Sequence, residues 1–151
     1  MQHKKGELLA KALRVMIDAH ESQFDKGGKP YALHPLAVMN ILNTDDEELQ
    51  CIALLHDVVE DSSISFKELL DLGFTTRIVD AVKLLTKQRG QTHEEYLQGL
   101  YTSKDAMKVK IADITHNSDI RRLKGLREKD KERMVKYHTM YLDLHMKLGE
   151  Q

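Results

Sequence analysis

A chain of 151 residues, 41% hydrophobic and 31% charged, is long enough for one domain with a proper core, and it carries no uninterrupted apolar run near the ~20 residues that span a bilayer. Its formal net charge of -1 provides no global attraction to nucleic acid or to an anionic membrane, so any polyanionic ligand must be met by a local basic patch. A single cysteine, Cys51, excludes an intramolecular disulfide, and its apolar neighbours read it as a small buried hydrophobe.

The start, Met1-Gln2-His3-Lys4-Lys5, leads into an amphipathic stretch and not an apolar signal core, so the expected compartment is the cytoplasm. Glu7 to Phe24 reads as a helix, with Leu8, Leu9, Ala12, Leu13, Val15, Met16 and Ala19 on one broad face. Gly27-Gly28-Lys29-Pro30 breaks it, and Pro35 suits the first turn of a second helix to Leu42. Thr44-Asp45-Asp46-Glu47 has the form of a capping box and opens a central helix expected to run to about Asp61. A second box, Ser65 to Glu68, starts a short helix that stops at Gly73, and a helical pattern follows over Thr76 to Thr86. A third box, Thr92 to Glu95, leads a helix to about Tyr101; further helices are expected over Asp105 to Leu123 and Glu128 to Leu148. No segment shows sustained period-two alternation, and no linker or repeat divides the chain. The reading is a single all-α domain of seven or eight helices over residues 1–151.

Chemistry concentrates in Leu54-Leu55-His56-Asp57-Val58-Val59-Glu60-Asp61. Glu60 and Asp61 stand four residues beyond His56 and Asp57, one helical turn on, so the two pairs share a face. A solvated surface could carry these groups, but apolar residues frame them, and burying unpaired carboxylates costs several kcal/mol unless a cation offsets it. His34 and Asp113, each in an apolar setting, extend the set. Singly each has an ordinary alternative: His34 as a helix cap, Asp113 as partner of a core-facing Lys or Arg. Two imidazoles and two carboxylates suit manganese, iron or zinc better than calcium or magnesium.

The order His34, His56-Asp57, Asp113 resembles the HD superfamily of metal-dependent phosphohydrolases, and in detail the (p)ppGpp hydrolase domain of RelA/SpoT-type proteins and their small stand-alone forms. The matching stretches are Ala19-His20 with Gln23, Gly28 with Pro30-Tyr31, His34-Pro35, Leu54 to Asp61, Leu85-Thr86-Lys87, and Lys110-Ile111-Ala112-Asp113 with His116-Asn117. The resemblance covers about residues 8 to 145. It implies that His34, His56, Asp57 and Asp113 hold one divalent ion, manganese foremost with iron or zinc as alternatives. It further implies Glu60 and Asp61 as the catalytic acidic pair, and Lys26, Asn117, Arg133 and Tyr137 as contacts to a nucleotide. A metal ion lowers the pKa of water bound to it and polarises a phosphoryl oxygen, while cations must offset the charge of the transferring group. Lys108, Lys110, Arg121, Arg122, Lys124, Arg127 and Arg133 give the C-terminal third a basic excess, most of which reads as solvated surface.

One departure bears on the substrate. The family's arginine that stacks on guanine, two residues after the glutamine matching Gln23, is here Asp25, which offers no planar cation and adds repulsion near phosphates. The expected activity is therefore a guanosine-3′,5′-bis(diphosphate) 3′-pyrophosphohydrolase, with a phosphohydrolase of another nucleotide or phosphorylated metabolite as the alternative. A non-catalytic module with a structural metal is the third reading, and the retained Glu60 and Asp61 oppose it. The expected partner is a phosphorylated small molecule, without nucleic acid or membrane, and apolar positions on an all-α surface would support a homo-oligomer.

Overall fold

The computed structural model describes residues 4–149; the first three and last two residues of the expected domain lie outside the described residues. Its helices are α1 (Glu7–Ala19), α2 (Leu33–Leu42), α3 (Glu47–Leu55), α4 (Val58–Asp61), α5 (Phe66–Asp71), α6 (Thr76–Leu85), α7 (His93–Leu100), α8 (Lys104–Asn117) and α9 (Glu128–Gly149), with a 3-10 turn η1 (Ile120–Arg122) between α8 and α9. No strand forms among the described residues, where Phe24 and Pro30 make one isolated antiparallel bridge. The all-α expectation is met.

The caps explain most boundaries. Ser65 Oγ accepts from the Glu68 amide at 3.1 Å and Thr92 Oγ1 from the Glu95 amide at 3.1 Å, as two of the capping boxes require. At the third, the cap is Asp46: its Oδ1 accepts from the Leu49 amide at 3.2 Å, while Thr44 Oγ1 accepts from the Asp46 amide. Three expected helices end early. α1 stops at Ala19 instead of Phe24, because Ser22 takes the left-handed region (φ 68°) and cannot continue a right-handed helix. The central helix splits at His56-Asp57, where Asp57 flattens to φ -107°, ψ -1°, and resumes as α4. α8 ends at Asn117, since Asp119 is extended and caps η1 through the Arg121 amide at 3.0 Å.

α3 is the centre of the core. Leu49 and Cys51 to Leu55 are all buried, and α1, α2, α6 and α8 pack around them. Such all-round burial is why α3 reads as a continuous apolar run and not as one stripe. Ile78, Val82, Met107, Ile114 and Leu144 complete the interior. α9 lies against α8 and shares hollows with the loop before α2 and with α4. The chemistry-bearing residues sit there.

Candidate metal centre

Three elements bring four side chains to one point. His34 hangs from the first turn of α2, His56 and Asp57 occupy the break between α3 and α4, and Asp113 projects from α8. One ligand atom from each lies within 4.8 Å of all the others. His34 Nε2 is 2.7 Å from Asp113 Oδ1 and 3.9 Å from Asp57 Oδ2; His56 Nε2 is 3.0 Å from Asp57 Oδ2 and 3.4 Å from Asp113 Oδ1. His34, His56 and Asp113 are buried.

The donor chemistry fits a cation. His56 Nδ1 lies 2.6 Å from the Ala53 carbonyl, which can only accept, so that nitrogen carries a proton and Nε2 is the nitrogen that faces the cluster, open to a cation. That Nε2 is buried and has no hydrogen bond of acceptable geometry, although two carboxylate oxygens stand beside it. The electrostatics point the same way. Burial works against a charged His56, yet Asp57 and Asp113 raise its proton affinity well above that of an ordinary histidine. Burial likewise opposes ionisation of Asp57, and His56 outweighs it, holding the carboxyl at about 2. Asp113, which burial alone would push up, is held far below the usual range first by Lys110, whose Nζ is 3.0 Å from Oδ2, and then by the two imidazoles. The cluster is a buried negative pocket that positive charge stabilises, and it could hold a metal ion.

Around it stand the groups that orient it. The Tyr31 hydroxyl donates to Asp57 Oδ2. His34 Nδ1 meets His116 Nδ1 at 2.7 Å, and Asn117 Nδ2 donates to Asp113 Oδ1 at 3.1 Å. His116, kept neutral by burial, by Arg122 and by His34, has its pKa depressed to about 4. Such partners fix the orientation of metal-binding side chains.

Glu60 and Asp61 are exposed on α4, and with Asp57 they form a second acidic group whose oxygens also lie within 4.8 Å of one another. Partial desolvation first, and then the charge of Asp57, raise the pKa of each. Gln23 ties α4 to the loop after α1 by donating to the Asp61 carbonyl at 2.8 Å.

Two hollows adjoin the cluster, one through Tyr31 and Asn117, the hydrogen-bond partners of Asp57 and Asp113, and one directly. One, of about 300 Å³, gathers Lys26, Asn117, Arg133 and Tyr137, the four contacts expected from the sequence, together with Asp25 and Arg122. The other, of about 230 Å³, is lined by His56, Asp57 and Glu60 together with Lys87, His93 and Lys136. Tyr137 borders both.

No family model matches the chain. Individual proteins do. A guanosine-3′,5′-bis(diphosphate) 3′-pyrophosphohydrolase of Haemophilus influenzae is 35% identical over 150 residues, an alignment covering 89% of this chain and 22% of that protein. The bifunctional (p)ppGpp synthase/hydrolase SpoT of Escherichia coli is 33% identical over 155 residues, covering 93% of this chain and 22% of SpoT. This chain is similar to a segment of SpoT. It spans about a fifth of the length of these curated relatives. Among solved structures, one described as a metazoan ortholog of SpoT that hydrolyzes ppGpp superposes with a TM-score of 0.79 at 23% identity, covering 99% of this chain and 96% of that one, which shows a shared fold.

The structure also gives work to further residues. Tyr31 and Lys87, both inside the matching stretches, are placed against Asp57 and in the hollow beside Glu60 respectively. Lys110 and Arg122, part of the basic excess expected to be mostly solvated, turn inward: Lys110 is partly buried against Asp113 and Arg122 reaches Asp25. The i,i+3 spacing of Lys110 and Asp113 is a signal that could have found the first pair; nothing local predicts the second, whose members are 97 positions apart.

Proposed function

We propose that the chain is a metal-dependent HD-type phosphohydrolase, one domain over residues 1–151, that removes pyrophosphate from the 3′ position of guanosine-3′,5′-bis(diphosphate). In this reading His34, His56, Asp57 and Asp113 hold one divalent ion, manganese before iron or zinc. That ion would supply an acidified water and a polarised phosphoryl oxygen. Glu60 and Asp61, whose raised pKa values suit proton transfer, orient the attacking water, take its proton as its oxygen bonds to phosphorus, and return a proton to the ribose 3′ oxygen as the bond between that oxygen and phosphorus breaks. Lys87 and Lys136, beside Glu60, offset charge on the departing pyrophosphate. Lys26, Asn117, Arg133 and Tyr137 receive the nucleoside side, Arg133 being steadied by Asp130 at 3.1 Å. The cytoplasm, with its nucleotide pools, is the compartment that goes with this substrate.

The observation that carries the reading is the juxtaposition of the four-ligand cluster with the Asp57-Glu60-Asp61 group, between two hollows that both carry cationic side chains. The test is pyrophosphate release from ppGpp by purified, manganese-loaded protein, with Asp57→Ala as control. Turnover that disappears in the control is expected. Absence of turnover in metal-loaded wild-type protein would reject the substrate. A second reading, hydrolysis of a different phosphorylated nucleotide, is favoured by one observation: Asp25 stands in the wall of the nucleoside hollow.

A further inference from the structure

Asp25 is not a bare negative charge in that wall. Arg122, the last residue of η1, brings Nη2 to within 3.4 Å of Asp25 Oδ2, and its Nη1 donates to Asn117 Oδ1 at 3.0 Å and to the His116 carbonyl at 3.3 Å. The guanidinium is thereby fixed along its edge by three acceptors from two different parts of the chain. Asp25 is fixed in turn: Oδ1 accepts from the Lys29 amide at 2.9 Å, and its own amide donates to the Lys29 carbonyl at 2.8 Å. The backbones interlock beside the ion pair. A Cβ on Gly27 would stand 2.7 Å from the Arg122 carbonyl oxygen, so only glycine lets the loop before α2 approach η1 this closely.

The consequence is positional. Arg122 is 21% exposed, and it lines the 300 Å³ hollow beside Asp25 and Asn117, in a wall that also includes Tyr137 and the exposed Phe24. A guanidinium bonded through its N–H edge keeps its flat faces for an aromatic ring. Asn117 links this group to the metal cluster through Asp113, so a base resting on Arg122 lies one side chain away from the reacting end.

We propose that Arg122 is the specificity-determining residue of the nucleoside hollow: a planar cation on which a purine base stacks, held in place by Asp25 and Asn117. The cation that the loop after Gln23 lacks is delivered from the connection between α8 and α9. This rests on the nucleotide reading above and names the part of that site which selects the base.

The experiment compares wild type with Arg122→Ala, Arg122→Lys and Asp25→Asn in the metal-loaded protein. It measures KM and kcat for ppGpp, and separately the equilibrium binding of GDP and of inorganic pyrophosphate. Loss of the stack is expected to raise KM and to weaken GDP binding by about tenfold, with a much smaller change in kcat and unchanged pyrophosphate binding. Arg122→Lys keeps the charge without the plane and should behave like Arg122→Ala; Asp25→Asn should shift KM in the same direction. A lysine variant with wild-type GDP binding, an Asp25→Asn protein indistinguishable from wild type, or equal losses for GDP and pyrophosphate would overturn the proposal. Should Arg122→Ala fail to fold, the lysine and asparagine variants carry the decision. Should wild-type protein leave ppGpp intact, the substrate reading fails by itself, and the two binding measurements still decide the role of Arg122.

Discussion

At the residue scale, the centre depends on orientation as much as on donor identity. His56 can present Nε2 because its Nδ1 proton is committed to the Ala53 carbonyl, and Asp57 faces the cluster while taking the Tyr31 hydroxyl. Tyr31→Phe removes that hydrogen bond with little change of shape. It is expected to weaken metal binding by about 10- to 100-fold, readable by competition with a chelating dye. Glu60 stands beside Asp57 but outside the four-residue donor set, so Glu60→Gln should leave metal content at the wild-type level while lowering kcat by about 10²- to 10⁴-fold. Metal analysis beside kinetics separates the two roles, and undiminished kcat would reject the proton-transfer role.

At the element scale, the helices that carry the cluster are held by contacts far from it. Arg77 on α6 grips Asp46 at the start of α3 (2.7 Å) and Asp105 at the start of α8 (2.8 Å), joining two helices that supply donors. Hydrogen bonds from Arg77 hold the Asp46 carboxyl below its ordinary range. A carboxyl depressed in the folded state contributes stability that is complete above its unfolded pKa, near ~3.9, and is lost as pH falls through the lower folded value. Arg77→Ala should therefore unfold at a higher pH than wild type in an acid titration, while costing only roughly 1 kcal/mol at neutral pH because the network is partly solvated. In the interior, Leu54→Ala removes a fully buried side chain from α3, and denaturant unfolding should show a loss of about 2–5 kcal/mol.

At the scale of the whole molecule, folding collects like charges and needs something to balance them. Asp57 and Asp113 converge from segments 56 positions apart, and Lys110 with two imidazoles balances them only in part. A divalent ion that binds the assembled site but not the unfolded chain adds stability through its binding free energy. Chelation should lower the thermal midpoint, and manganese should restore it in a concentration-dependent way. A midpoint indifferent to chelator would show that the site binds no ion. Asp57→Ala should abolish the manganese response, whatever it does to the midpoint itself.

Much of this was legible along the chain. The all-α class followed from helical spacing of apolar residues and from Ser65 and Thr92 as caps, both of which are local effects encoded within a few positions. The four metal candidates were legible because ionisable residues inside apolar helices are costly unless they are assembled, and the motif order supplied the rest. Three things were not. The break at His56-Asp57 was hidden because every residue from Cys51 to Asp61 is compatible with one continuous helix; packing bends Asp57 out of it. The end of α1 was hidden because Ser22 shows no left-handed preference by itself and takes that conformation under the tie of Gln23 to Asp61. The partner of Asp25 was hidden because the charge of a side chain is local while its neutralisation is not. Sequence determined which groups this protein brings to its site; only the tertiary structure decided that Asp25 meets Arg122 there, since that contact exists only once the two ends of the chain are folded together.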